Sequence, residues 1–170
     1  MKMVLEMRYR REGKFFYNKE EICTLYQSDD LDRILLRSPY LTSINNELFV
    51  YGHIKSSDEF EHLILALRAS YDCYISFEDA LSRWGVISQI PMMMNLATTG
   101  ASGWYSTPFG RFEFIHVEHS SKQIEEQTVD TGRPISIAKK EWAYKDLKEV
   151  KRNLHLIDYV ALFTDDVNLP

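Results

Sequence analysis

His116-Val117-Glu118-His119 places two imidazoles within four residues, a ligand type that zinc takes. The segment reads as a strand, where residues three apart point to opposite faces, so the two imidazoles diverge. No third ligand is placed by the sequence, and His116 reads as a packed strand residue. Cys73 is a possible nucleophile, but neither the base nor the oxyanion donor of a Cys-His hydrolase can be placed. It reads instead as a small apolar thiol in a core. Glu149-Val150-Lys151 matches the end of a nuclease motif, yet it falls on an expected helix, where strand-borne carboxylates would not line up. Gly100 and Gly103 lack the Lys-Ser/Thr of a phosphate loop. The Thr98–Gly103 loop, with hydroxyls and glycines beside Trp104 and Tyr105, keeps two readings: a hairpin connection, or a contact to a ligand or RNA. Met92-Met93-Met94 reads as core. No metal, cofactor or catalytic residue is expected, and the chain reads as non-enzymatic.

The elements that position these residues centre on Tyr74–His116. Ser76 is placed to cap a short helix with Glu78 and Asp79 in its first turn and Phe77, Ala80, Leu81 and Trp84 on one face. Gly85 ends it. Strands follow over Ile90–Thr98, Trp104–Thr107 and Arg111–Val117, with Pro108-Phe109-Gly110 as a tight turn. Ser120–Thr131 is polar and reads as a connector. Ile135–Ile137 is a short apolar run, and Ala138–Asn153 an amphipathic helix with Trp142, Ala143, Leu147 and Val150 inward. Its outer side carries Lys139, Lys140, Lys145, Lys148, Lys151 and Arg152 against Glu141, Asp146 and Glu149. This is either a solvated face or a second nucleic-acid contact surface through Lys139, Lys140, Lys145 and Arg152. Leu154–Phe163 is a strand or last helix, and Thr164–Pro170 an acidic tail.

Before this region, Met1–Gly13 fits strand or helix and carries the basic cluster Arg8, Arg10 and Arg11. Lys14–Tyr17 reads as a small strand. Asn18 caps a helix with Ile22, Leu25 and Tyr26 on its apolar face; Ser28 caps a second, Asp29–Arg37, stopped by Ser38-Pro39. Leu41–Ile44 and Glu47–Tyr51 form a hairpin around Asn45-Asn46, which tolerate a type I′ turn. Strand, helix, turn, helix, hairpin is the order of a winged helix-turn-helix, with the second helix as reading helix. Its outward residues are Asp29, Asp30, Asp32, Arg33, Leu36 and Arg37. Three carboxylates would face phosphates, which disfavours DNA. Ile54–Asp58 marks a boundary, after which Phe60, Leu63, Ile64 and Leu67 line an amphipathic helix ending near Ser70.

The 170 residues are 45% hydrophobic and carry a formal charge of −5, enough for a core but not the balance of a strongly basic nucleic-acid binder. Residues 1–55 hold nine basic and eight acidic side chains, so the acid excess lies in the rest. Cys23 and Cys73 lack metal-ligand spacing and read as reduced thiols of a cytoplasmic protein. The first residues do not read as a secretion signal, and no apolar run is of membrane length.

Tyr74-Ile75-Ser76, Ala80-Leu81, Trp84-Gly85, Ala97–Gly100, Thr107–Gly110, Phe112, Phe114 and His116, followed by Ala138, Glu141, Ala143 and Asp146-Leu147, resemble the AbiEi antitoxin family. In the second segment Lys140 stands where the family usually has proline and Trp142 where it has lysine. The resemblance spans about half the chain. It implies a cytoplasmic bacterial antitoxin and autorepressor of a type IV, abortive-infection toxin–antitoxin system. Such a protein binds inverted repeats in its own operator and counters a nucleotidyltransferase toxin without necessarily touching it.

The expectation is therefore an α+β chain: a winged-helix-like domain over 1–55, and over 56–170 a small antiparallel sheet flanked by helices. Operator DNA would be met by Arg33, Arg37, Lys19 and the wing tip Asn45-Asn46. The alternative is a protein-interaction module of the same fold that has lost DNA, which the acidic reading helix favours.

Overall fold

The computed structural model describes residues 2–164, and for residues 2–4 and 10 the backbone alone. The fold is a mixture of helices and two sheets, in two compact units that divide between Glu59 and Phe60. None of the described helices is long and apolar enough to cross a membrane.

Unit 1 runs α1 (Lys2–Glu12), β1 (Phe16–Asn18), α2 (Lys19–Tyr26), α3 (Leu31–Arg37), β2 (Leu41–Ser43) and β3 (Leu48–Tyr51). Its sheet has the order β1-β3-β2, antiparallel throughout, with Tyr17 opposite Phe49 and Thr42 opposite Val50. All four residues of central β3 are buried, as a strand covered on both faces requires. Leu5, Tyr17, Ile22, Ile34, Leu41, Phe49 and Tyr51 make the core, so α1 joins it through Leu5. Asn18 forms the full capping box with Glu21: its side chain accepts from the Glu21 amide at 2.8 Å, and Glu21 Oε2 accepts from the Asn18 amide at 3.0 Å.

Two local expectations change here. The cap of α3 is Asp30, whose Oδ1 accepts from the Arg33 amide at 3.0 Å; Ser28 instead accepts from the Asp30 amide in the preceding turn. The β2–β3 connection is a four-residue loop and not a two-residue type I′ turn. Neither asparagine has positive φ, and Asn45 Oδ1 accepts from the amides of Glu47 and Leu48.

In unit 2 the order is β4 (Cys73–Ile75), α5 (Phe77–Arg83), β5 (Met94–Thr98), β6 (Gly103–Thr107), β7 (Gly110–His116), α6 (Ser121–Gln127), β8 (Thr128–Val129), β9 (Ile137–Ala138), α7 (Lys140–Glu149), a 3-10 turn at Leu154–Leu156 and α8 (Tyr159–Phe163). It is preceded by α4 (Ser57–Ala66), which contains the division between the units. The six strands lie in the order β6-β7-β5-β4-β9-β8.

The small antiparallel sheet expected is thus corrected to a larger, mixed one. The β6–β7 hairpin folds back so that β7 inserts beside β5 in parallel, Leu96 opposite Phe114; β4 and β9 are also parallel. Ser120–Thr131 is not a loop but α6 and β8. Ser120 and Gln123 close a capping box, and Ile124 supplies the buried side chain that anchors the turn. Beneath the sheet Phe77, Phe112 and Phe114 are wholly or almost wholly buried. Tyr105 stacks on Phe112 at 5.0 Å between centroids, and Arg68 lies 4.0 Å over the Phe114 ring. The acidic-tail residues 165–170 lie outside the described residues.

Candidate functional site

In unit 1, Arg33 and Arg37 fall four residues apart on one exposed side of α3. Neither side chain has a partner among the described residues. Both line a cleft of about 390 Å³ with Ser28, Ser38, Tyr26 and Tyr40. Two adjacent unpaired guanidiniums in a concavity attract an anion such as phosphate. The three carboxylates at the start of α3 are not equivalent: Asp30 is consumed as the helix cap, and all three lie near the positive end of the helix dipole. Lys19 opens α2, half-buried, its amide bonded to the Glu47 carbonyl at 3.0 Å. Asn46 is exposed, whereas the Asn45 side chain is spent on its own turn. Neither lines the arginine cleft. Leu36, 86% exposed, stands between the two arginines in sequence. Of the basic cluster on α1, Arg11 is exposed and Arg8 half-buried; the Arg10 side chain lies outside the described residues.

Unit 2 contains a buried polar network that the sequence reading missed. Periodicity places Asp146 on the outer side of its helix, but it is 1% exposed. Its Oδ2 accepts from the Ser76 hydroxyl at 2.6 Å and the Tyr74 hydroxyl at 2.9 Å; His119 Nε2 lies 2.9 Å from Oδ1. Trp142 Nε1 donates to Tyr74 Oη at 3.3 Å, and the His119 and Trp142 rings lie 4.8 Å apart. Burial first, and then the Asp146 carboxylate, push the Tyr74 phenol far above its usual range. Ser76 therefore does not cap α5 with its side chain: its hydroxyl goes to Asp146 instead.

His119, Asp146 and Glu149 also bring three potential metal-ligand atoms within 4.8 Å of one another. Both oxygens of Asp146 are already engaged by hydroxyl and imidazole groups, and Glu149 is exposed. Hydrogen bonding accounts for the arrangement without an ion. Ser76 faces the carboxylate rather than His119, so the three do not form a nucleophile–base relay.

A second network surrounds Glu78 at the start of α5. Its Oε1 accepts from Arg152 Nε at 3.2 Å and Asn153 Nδ2 at 2.8 Å; Arg152 Nη1 donates to Glu113 Oε2 at 2.7 Å. Burial would lower the Arg152 pKa, but the hydrogen bond to Glu113 and the charge of Glu78 outweigh it, and the value rises.

These contacts correct the expectation of a free basic face on α7. Lys140 is 2% exposed and donates to the Thr164 carbonyl at 2.5 Å. It shares the inward i, i+3, i+7 stripe with Ala143 and Leu147. Arg152 is held between two carboxylates, Lys139 donates to the Glu126 carbonyl at 2.6 Å, and Lys145 lies 4.1 Å over the Trp142 ring. The Thr98–Gly103 loop is likewise internally committed. Thr98 donates to the Asp72 carbonyl, Thr99 accepts from the Asp72 amide, Ser102 accepts from the His116 amide, and His116 Nδ1 meets the Gly100 carbonyl at 2.9 Å. His116 itself is exposed at the end of β7, on a different partner from His119. Glu149-Val150-Lys151 lies at the C-terminal end of α7, with Val150 as the cap.

No protein-family model matches the chain, and no curated protein sequence matches it.

Proposed function

We propose that the chain is a DNA-binding regulator of the antitoxin type, with unit 1 as a winged helix-turn-helix. The observation that carries this reading is the pair Arg33 and Arg37, exposed on α3 and without a partner among the described residues. In the order α1, β1, α2, α3, β2, β3, helix α3 is the second of two consecutive helices and β2–β3 is the hairpin that follows. In a winged helix these are the reading helix and the wing. Arg33 and Arg37 then position α3 on phosphates or read guanine edges, and Asn46 meets the backbone at the wing tip.

The antitoxin part of the proposal rests on the AbiEi resemblance. The residues that carry the resemblance include Tyr74, Ser76 and Asp146, which are joined by hydrogen bonds at 2.9 and 2.6 Å. That supports reading them as what holds the domain together, with no enzymatic role. Such a protein represses its own operon and, co-expressed with a nucleotidyltransferase toxin, restores growth. Titration of the chain against its own upstream DNA tests the regulator; growth rescue tests the antitoxin.

One observation favours a second reading. Leu36 is 86% exposed in the last turn of α3, where DNA offers it only thymine methyl groups. A protein partner would bury it. Stoichiometric capture of one protein, with no salt-sensitive DNA binding, would select this reading.

A further inference from the structure

Unit 2 carries a second cleft, of about 400 Å³, to which neither the resemblance nor the regulator reading assigns a role. It is built on one row of the sheet. Asn95 on β5 and Trp104 on β6 are each register neighbours of Glu113 on β7, and Arg111, two residues before Glu113, shares its face. Glu78 comes in from α5, and Arg152 with Asn153 from beyond α7.

Glu78 is 5% exposed, and its two oxygens are unlike. Oε1 is bonded by Arg152 and Asn153, whereas Oε2 is buried with no hydrogen-bond partner among the described residues. A buried carboxylate oxygen left without a donor is costly, and a bound donor would relieve that cost. The backbone on either side is strained as well. Phe77, immediately before Glu78, has φ +54, an outlier for a bulky side chain, and Lys151 beside Arg152 also has φ +54.

The remaining walls set the rest of the ligand. Trp104 is 57% exposed, and Ile90 and Met92 stand out at the rim, giving a flat apolar surface. Arg111 is exposed and its guanidinium has no partner among the described residues. The cleft thus offers a hydrogen-bond acceptor, an aromatic face and a free cation. Its volume falls in the range of small-molecule sites.

We propose that this cleft binds a nucleotide whose base carries an exocyclic amino group. The amino group donates to Glu78 Oε2 once a rotation of the carboxyl opens this enclosed oxygen to the cleft, the base lies against Trp104, and the phosphate pairs with Arg111. Uracil is disfavoured, because its N3–H is flanked by two carbonyls that would face the carboxylate. The same chemistry is offered by a free mononucleotide and by one nucleotide of a single strand. This site does not depend on DNA binding by unit 1.

The test is titration of the full chain with AMP, GMP, CMP and UMP, and with short single-stranded RNA, by equilibrium dialysis and tryptophan fluorescence. Saturable binding of an amino-bearing nucleotide, with UMP at least about tenfold weaker, is expected. Trp104→Ala and Arg111→Ala alter exposed side chains and should each weaken binding by about tenfold while thermal unfolding stays unchanged. Arg111→Ala should also erase the difference between a nucleoside and its monophosphate. Glu78→Gln should erase the discrimination against UMP. Tighter, Trp104-dependent binding of RNA than of mononucleotides assigns the source to a strand; equal binding assigns it to the free nucleotide. No binding at millimolar ligand, or binding that neither Trp104→Ala nor Arg111→Ala weakens, overturns the site.

Discussion

Asp146 and Ser76 stand 70 residues apart in the chain and 2.6 Å apart in the fold. Their hydrogen bond joins α7 to the connection between β4 and α5. The Tyr74 hydroxyl and the His119 imidazole close on the same carboxylate. A carboxyl group that is 1% exposed is tolerated because both of its oxygens have hydrogen-bond partners. The cluster thereby fixes the seat of α7 against the sheet.

Asp146→Ala leaves two hydroxyls and an imidazole without their shared acceptor. Loss of about 3 kcal/mol of stability is expected, since each buried orphan costs about 1 to 3 kcal/mol and the groups relax partly. Asp146→Asn keeps one acceptor oxygen and should lose less, and Ser76→Ala should lose about 1 kcal/mol. Urea unfolding of the three variants measures the order; equal losses for all three would remove Asp146 from its central place.

Cys73 sits where burial, partly opposed by the charge of Arg68, pushes its thiol up to about 12. At pH 8 the native thiolate fraction is then about one in ten thousand, against roughly a quarter for an ordinary thiol. Alkylation of Cys73, followed in a Cys23→Ala background, should be about a thousandfold slower in the native protein than in urea. The sign for stability follows. A raised folded value favours the neutral thiol, so its contribution is full below the unfolded value near 8.5 and is lost as pH rises toward 12. Rapid native labelling at pH 8 would contradict the raised thiol.

Gly110 opens β7 at φ +155, and a Cβ there would lie 2.8 Å from Cζ of the Phe60 ring. At Gly100 the added Cβ would meet the Tyr71 ring at 2.9 Å, but Tyr71 is exposed and free to swing away, and φ is unstrained. Gly110→Ala should therefore cost about 1 to 3 kcal/mol and Gly100→Ala much less. Thermal unfolding compares them directly, and the reverse order would place the tight approach elsewhere.

Local signals in this chain were readable where their cause is local. The Asn18–Glu21 capping box depends on residues three apart, and it forms as the spacing implies. Ser120 and Gln123 show the same spacing, but the polar composition around them hid a helix that the one buried side chain, Ile124, stabilises. Ser76 has the right type and place for a cap, yet its hydroxyl goes to Asp146, a partner that only the fold brings near. Lys140 and Asp146 look like surface charges on a helical face; both fall beside the buried Ala143 and Leu147, and partners distant in sequence hold them there. The parallel pairing of β5 with β7 is a matter of which way a hairpin folds back, and alternation alone does not encode it. Arg33 and Arg37 were found from periodicity, because capping and an apolar face set the register of α3.

DNA binding by unit 1 is the central claim, and it is tested most directly by titrating the chain against its own upstream DNA across salt, with the wild type and the Arg33→Ala, Arg37→Ala double variant side by side. Both arginines are exposed, so the variant should keep its stability to within about 0.5 kcal/mol. The expected result is sequence-selective wild-type binding that weakens steeply with salt, together with loss of operator binding in the variant and a residual salt slope shallower by about 2. Wild-type binding no tighter to this DNA than to unrelated DNA, or a variant that binds as well as the wild type, would contradict the assignment and turn attention to a protein partner at Leu36.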